Sequence, residues 1–112
     1  MKTFVLMTKL APQSASLIEV GHKHTDRAKC NQEWLDQINE QCPEVEFLAH
    51  YALMGTWDFM DIYQAPDERT AAKVSLITRE YGACQVESWL AIPYDQIAEI
   101  TKEIKRPEKA PQ

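Results

Sequence analysis

Hydrophobic positions first gather at residues 3–9, a β-branched and aromatic run that predicts a strand, which Pro12 helps to close. Residues 14–20 pass from polar to apolar, as a short helical turn or the opening of a longer helix does, and Gly21-His22-Lys23-His24 interrupts them. Thr25 or Asp26 can then cap a helix by accepting from an early orphan N–H. On that helix Ala28, Leu35, Ile38 and Cys42 recur near helical spacing, with Trp34 beside the stripe. Pro43 stops it, because the residue before proline is pushed out of the α region. Residues 45–53 and 57–65 alternate on either side of Gly55-Thr56 and predict a hairpin with a two- or four-residue loop. Ala65-Pro66-Asp67-Glu68 ends one element and starts a helix, with Asp67 or the first-turn acids facing its positive end. Its stripe is Ala71, Val74, Ile77 and Tyr81, and Gly82 stands where a helix terminus accepts positive φ. Residues 84–92 predict a fourth strand, Pro93 a turn, and 95–105 an amphipathic helix with Ile97, Ile100 and Ile104 inward.

The order β-α-β-β-α-β plus a terminal helix is that of an α+β, ferredoxin-like domain with a four-stranded antiparallel sheet. One such domain fills residues 1–105, and 106–112, with two prolines and three charges, reads as a frayed tail. Its two helices cover one sheet face, so the other face must be accounted for. Strict alternation puts Val45, Phe47, Ala49, Tyr51 and Leu53 on one side, joined by Met60 and Ile62. Leu48, His50, Ala52 and Met54 fall on the other, with Trp57, Phe59, Asp61 and Tyr63 across from them. Leu53 then opposes Asp58, and His50 opposes Asp61. The phase of strand four is open between Val86-Ser88-Leu90 and Glu87-Trp89. The apolar series is expected under the helices and the mixed series against a partner or around a cavity. Neither series is polar throughout, and soluble monomers rarely expose an apolar patch of several hundred Å², so a homodimer packed sheet to sheet is expected.

Composition narrows the function classes. Twelve basic against seventeen acidic residues give a net charge of −5, which disfavours nucleic acid and anionic membrane as partners. Three glycines cannot build a phosphate loop or a dinucleotide fingerprint, and no cofactor is implied. Cys30, Cys42 and Cys84 form no CxxC pair and read as small hydrophobes in a reducing compartment. The apolar run 4–7 is broken by Thr8-Lys9, shorter than an export signal needs, and a cytoplasmic location is expected.

Candidate chemistry lies on the hairpin. A carboxylate at Asp61 accepting from His50 would fix the imidazole tautomer and prepare the ring for general-base work. Trp57, Phe59, Tyr63 and Trp89 would line an apolar ligand cavity around that pair. The plainer reading is a polar pair buried at the dimer interface, each group satisfying the other. Asp58 is read chiefly as a ligand of backbone amides near the turn. His22 and His24, with Asp26 or Cys30, are a weak metal set, and a solvated loop explains them as well.

Gly55-Thr56-Trp57-Asp58, the run Phe59-Met60-Asp61-Ile62, then Ala65-Pro66-Asp67 and an Ala-containing helix resemble the GYD domain family. The likeness extends, more loosely, from the first strand to Trp89-Leu90-Ala91. It implies a ferredoxin-like domain that pairs as a dimeric α+β barrel. Trp57 stands where the family usually has Tyr, and Cys42-Pro43 where members often have glycines. Two functions are carried forward. One is a homodimeric module that binds or senses a small molecule. The other, by analogy with dimeric α+β barrels, is a small cofactor-independent oxygenase or isomerase with His50 as base and Asp61 as its orienter.

Overall fold

The computed structural model describes residues 1–10 and 24–107, with side chains in the first helix from residue 32 onward. The described elements are β1 (Lys2–Leu10), α1 (His24–Gln41), β2 (Glu46–Ala52), β3 (Phe59–Ala65), α2 (Glu68–Arg79), β4 (Ala83–Ala91) and α3 (Tyr94–Glu103). The strands form one sheet in the order β2-β3-β1-β4, every neighbouring pair antiparallel. This is the expected α+β, ferredoxin-like arrangement. The helical turn expected at 14–20 lies outside the described residues. Because α1 has begun by His24, Thr25 and Asp26 fall within its first turn.

The core lies between the sheet and the two helices. Phe4, Leu6, Tyr63, Ala65 and Val86 from the strands meet Trp34, Ile38 and Cys42 of α1 and its exit, and Ala71 and Val74 of α2. Trp34 is therefore part of the buried stripe and not beside it. Its indole N–H donates to Thr78 Oγ1 at 2.9 Å, and that hydroxyl donates onward to the Val74 carbonyl at 2.7 Å. A buried indole needs an acceptor, and the two helices supply one at their contact. Burial pushes the Cys42 thiol up, as fits a packed, unreactive cysteine. Asp67 caps α2, its Oδ1 accepting from Thr70 N at 2.8 Å and from Thr70 Oγ1 at 2.7 Å. After the helix the chain turns through Gly82 at φ 90°, a conformation that glycine adopts without a Cβ clash.

Two expectations about faces are corrected. The β2–β3 register runs Phe47↔Tyr63 and then Ala49↔Ile62, leaving Leu48 as an extra residue in β2. A bulge of this kind breaks strict alternation. Phe47 lies on the helix side, and beyond the bulge His50 shares that side with Asp61, while Ala49 and Tyr51 turn away. The assignment of faces to layers is accordingly reversed. Asp61, Tyr63 and Ala65 of the mixed series are buried under the helices, whereas Met60 and Ile62 face the opposite side. Strand four resolves the same way: Val86 joins the core, Ser88 pairs with Leu6, and Glu87 and Trp89 point to the open side. The polar members of the buried series go inward because each finds a partner there.

The other correction concerns α3. No residue of it is buried, and Ile97 and Ile100 remain 39% and 42% exposed, so they do not point into this chain's core. Ile104 lies beyond the helix as its C-terminal cap residue and is also exposed.

Candidate functional site

The hairpin sets the geometry. Leu53 N donates to the Asp58 carbonyl at 2.8 Å, closing a four-residue loop, and this fixes the register His50↔Asp61. Asp58 N donates to the Thr8 carbonyl at 2.9 Å, and the Asp58 carboxylate accepts from Leu10 N at 2.7 Å. Asp58 thus ties the hairpin loop to the end of β1, a strand away, and not to amides of its own turn. Its role is to hold β3 and β1 together where the ladder ends.

On the helix side, His50 Nδ1 lies 2.5 Å from Asp61 Oδ1. The Asp61 side chain is 4% exposed and that of His50 is 49% exposed. A carboxylate so enclosed requires a donor, and the imidazole N–H supplies it while the rest of the ring reaches the surface. Phe59, next but one along β3, stacks on His50 with ring centroids 5.5 Å apart and planes inclined by 20°. The ring is held along its edge by the carboxylate and across its face by the phenyl. Such a group can take up a proton while Asp61 keeps its orientation and stabilises the imidazolium.

Tyr63 does not belong to this surface. It is fully buried, between Phe4 and Phe47, with centroids at 5.5 and 5.6 Å. Its hydroxyl shares a hydrogen bond of 2.9 Å with Ser88 Oγ, which lies 2.7 Å from Ser75 Oγ. Burial pushes the phenol up from its ordinary value, with the Ser88 hydrogen bond opposing it. The expectation that Tyr63 lines a ligand cavity is replaced by a core role. The serines that satisfy it carried no signal in the sequence beyond the general need of a buried phenol for a partner.

The open side carries the remaining candidates. Trp57 and Trp89 meet there edge to face, centroids 6.2 Å apart and planes at 85°. They come from either side of β1, whose Met7 is buried on this face. Trp89 Nε1 donates to Glu87 Oε1 at 2.7 Å. Two cross-strand rows make up the middle of the face, Ala49, Ile62, Val5 and Trp89, then Tyr51, Met60, Met7 and Glu87. Polar positions flank them, Glu46, Gln64 and Thr3 with Ala91 at one end and Lys9 with Gln85 at the other. Tyr51 is 52% and Trp89 46% exposed. The sheet therefore divides the expected set, with His50, Asp61 and Phe59 on one side and Trp57 and Trp89 on the other. Glu87 was missed by the sequence reading.

His22 and the side chain of His24 lie outside the described residues. Among the described residues no three His, Cys, Asp or Glu side chains gather to hold a metal ion. No described helix is long and apolar enough to cross a membrane. Residues 4–101 match the family model of the GYD domain, a span that runs from within β1 through most of α3. Comparison with curated proteins and with solved structures yields no match.

Proposed function

The chain belongs to the GYD domain family, and from that premise we propose that it works in the cytoplasm as a homodimer binding a small molecule between two facing sheets. The observation that carries this reading is the open face. It presents Val5, Ile62, Met60 and Ala49 with Tyr51 and Trp89 exposed, and α3 buries none of its residues on it or elsewhere. Apolar surface of this extent gains about 25 cal/mol per Å² on leaving water. A second copy supplies an equal surface in a self-complementary contact about a two-fold axis. A gap between the sheets beside Trp57 and Trp89 would take a ligand against two indoles. Sedimentation of the wild type and of Trp57→Ala tests the pairing. A dimer that Trp57→Ala weakens supports it; identical mass and melting in both proteins speak against any role for Trp57.

A second reading is favoured by the 2.5 Å contact between half-exposed His50 and enclosed Asp61. In it the domain is a cofactor-independent enzyme of oxygenase or isomerase type, with His50 accepting a substrate proton and Asp61 holding the ring. Substrate turnover that is lost in His50→Gln would support this reading; an activity indifferent to His50 would end it.

A further inference from the structure

Glu87 is the one carboxylate in the two central rows of the open face, with Lys9 and Gln85 paired in the row beside it. Its two oxygens accept from neutral donors, Oε1 from the Trp89 indole at 2.7 Å and Oε2 from the Gln85 amide at 3.1 Å. Among the described residues it makes no ion pair. Beside it the Trp57 and Trp89 rings stand at 85° to each other, forming a corner of two π-faces next to a negative charge that the Trp89 indole hydrogen-bonds. Enclosing an unpaired carboxylate between two sheets costs far more than an aliphatic contact returns, unless a cation accompanies it. Indole faces attract cations, most strongly where water is excluded. They attract best a cation with a greasy shell, which loses little hydration on entering.

We propose that the Trp57–Trp89–Glu87 corner binds an alkylated ammonium group, so that the small molecule taken up between the sheets is a cationic amine of the trimethylammonium type. This rests on the pairing proposed above and adds to it the chemical class of the ligand. The chain's net charge of −5 works in the same direction, raising the concentration of cations near the protein. The hydrogen bond from Trp89 to Glu87 has a positioning role: it fixes the indole plane, so the ring that meets the cation does not have to be ordered on binding.

The test uses the full chain with choline, titrated calorimetrically and by quenching of tryptophan fluorescence. The comparison ligand is its uncharged isostere, in which tert-butyl replaces trimethylammonium. The expected result is saturable choline binding, with the isostere weaker by about tenfold or more, as a desolvated cation–π contact and a carboxylate together imply. Glu87→Gln should lower choline affinity by about fivefold or more while leaving the isostere unchanged, and Trp89→Leu should abolish choline binding. Equal binding of the two ligands would overturn the proposal, because the corner would then be merely apolar. So would a wild-type protein that ignores choline while Lys9→Gln binds it, since Lys9 of the second copy would then be the counter-ion of Glu87. Sedimentation of the same samples separates the two ideas. A dimer that binds neither ligand ends this proposal and keeps the pairing, and a monomer that binds choline selectively keeps the corner and ends the pairing.

Discussion

The two faces of one sheet handle their polar groups in opposite ways. On the helix side every buried polar group is matched: Asp61 by His50, the Tyr63 hydroxyl by Ser88, the Trp34 indole by Thr78. On the open side the two central rows are mostly apolar, and the carboxylate in them, Glu87, has only neutral donors. The first face is finished within one chain. The second leaves Tyr51 and Trp89 about half exposed. On the function proposed above, one half of the sheet serves structure and the other association.

The largest effects should come from the finished face. Ile38→Ala removes a fully buried side chain between α1 and the sheet and should cost about 2–5 kcal/mol in urea unfolding. Ile62→Ala, on the open face, should cost a dilute chain about 1 kcal/mol or less and show itself instead as weaker association. Equal losses of unfolding free energy at the two positions would erase the contrast. Asp61→Ala comes next. It leaves His50 without its carboxylate, and unfolding experiments should register about 1–3 kcal/mol.

The comparison also explains what could be read from the residues. Gly55-Thr56 between two alternating runs was enough for the hairpin loop, and the loop length alone places His50 opposite Asp61. The order of elements was legible for the same reason, as was a helix start with Asp67 or the first-turn acids at its positive end, since each rests on local chemistry. Which face turns inward was not. Both series are rich in aromatics, and the bulge at Leu48 shifts the phase midway through β2 with no glycine or proline to mark it. With the layers reversed, Tyr63 is expected at a partner or cavity, and Trp57, which precedes β3, is grouped with His50 by extending the alternation beyond the strand. The stripe of α3 misled differently, because Ile97, Ile100 and Ile104 have helical spacing whether their cover comes from this chain or from elsewhere.

Two pH-dependent tests sharpen the picture of the helix side. The Tyr63 phenol is held neutral by burial, its folded value raised above the ordinary 10.0. Its contribution is therefore complete below that value and declines as pH rises toward the folded one. Tyr63→Phe should lose the Ser88 hydrogen bond at neutral pH and show a shallower alkaline fall in stability; an unchanged alkaline limb would contradict the burial argument. Asp67 works in the other sense, and its effect should be the smallest. The Thr70 amide and hydroxyl hold its carboxyl below the ordinary 3.8. The cap is thus fully effective above that value and is lost as pH falls through the lower, folded one. Asp67→Ala should flatten this acid limb, and melting curves that remain parallel to the wild type across it would remove the cap from the account.

The pairing proposed for the open face turns on whether two copies close it. Sedimentation equilibrium of the full chain at micromolar concentration measures this directly. Twice the chain mass is expected, with Ile62→Glu reduced to a folded single chain because a charge at the centre of the contact has no partner there. A wild-type protein that remains a monomer at that concentration would contradict the account.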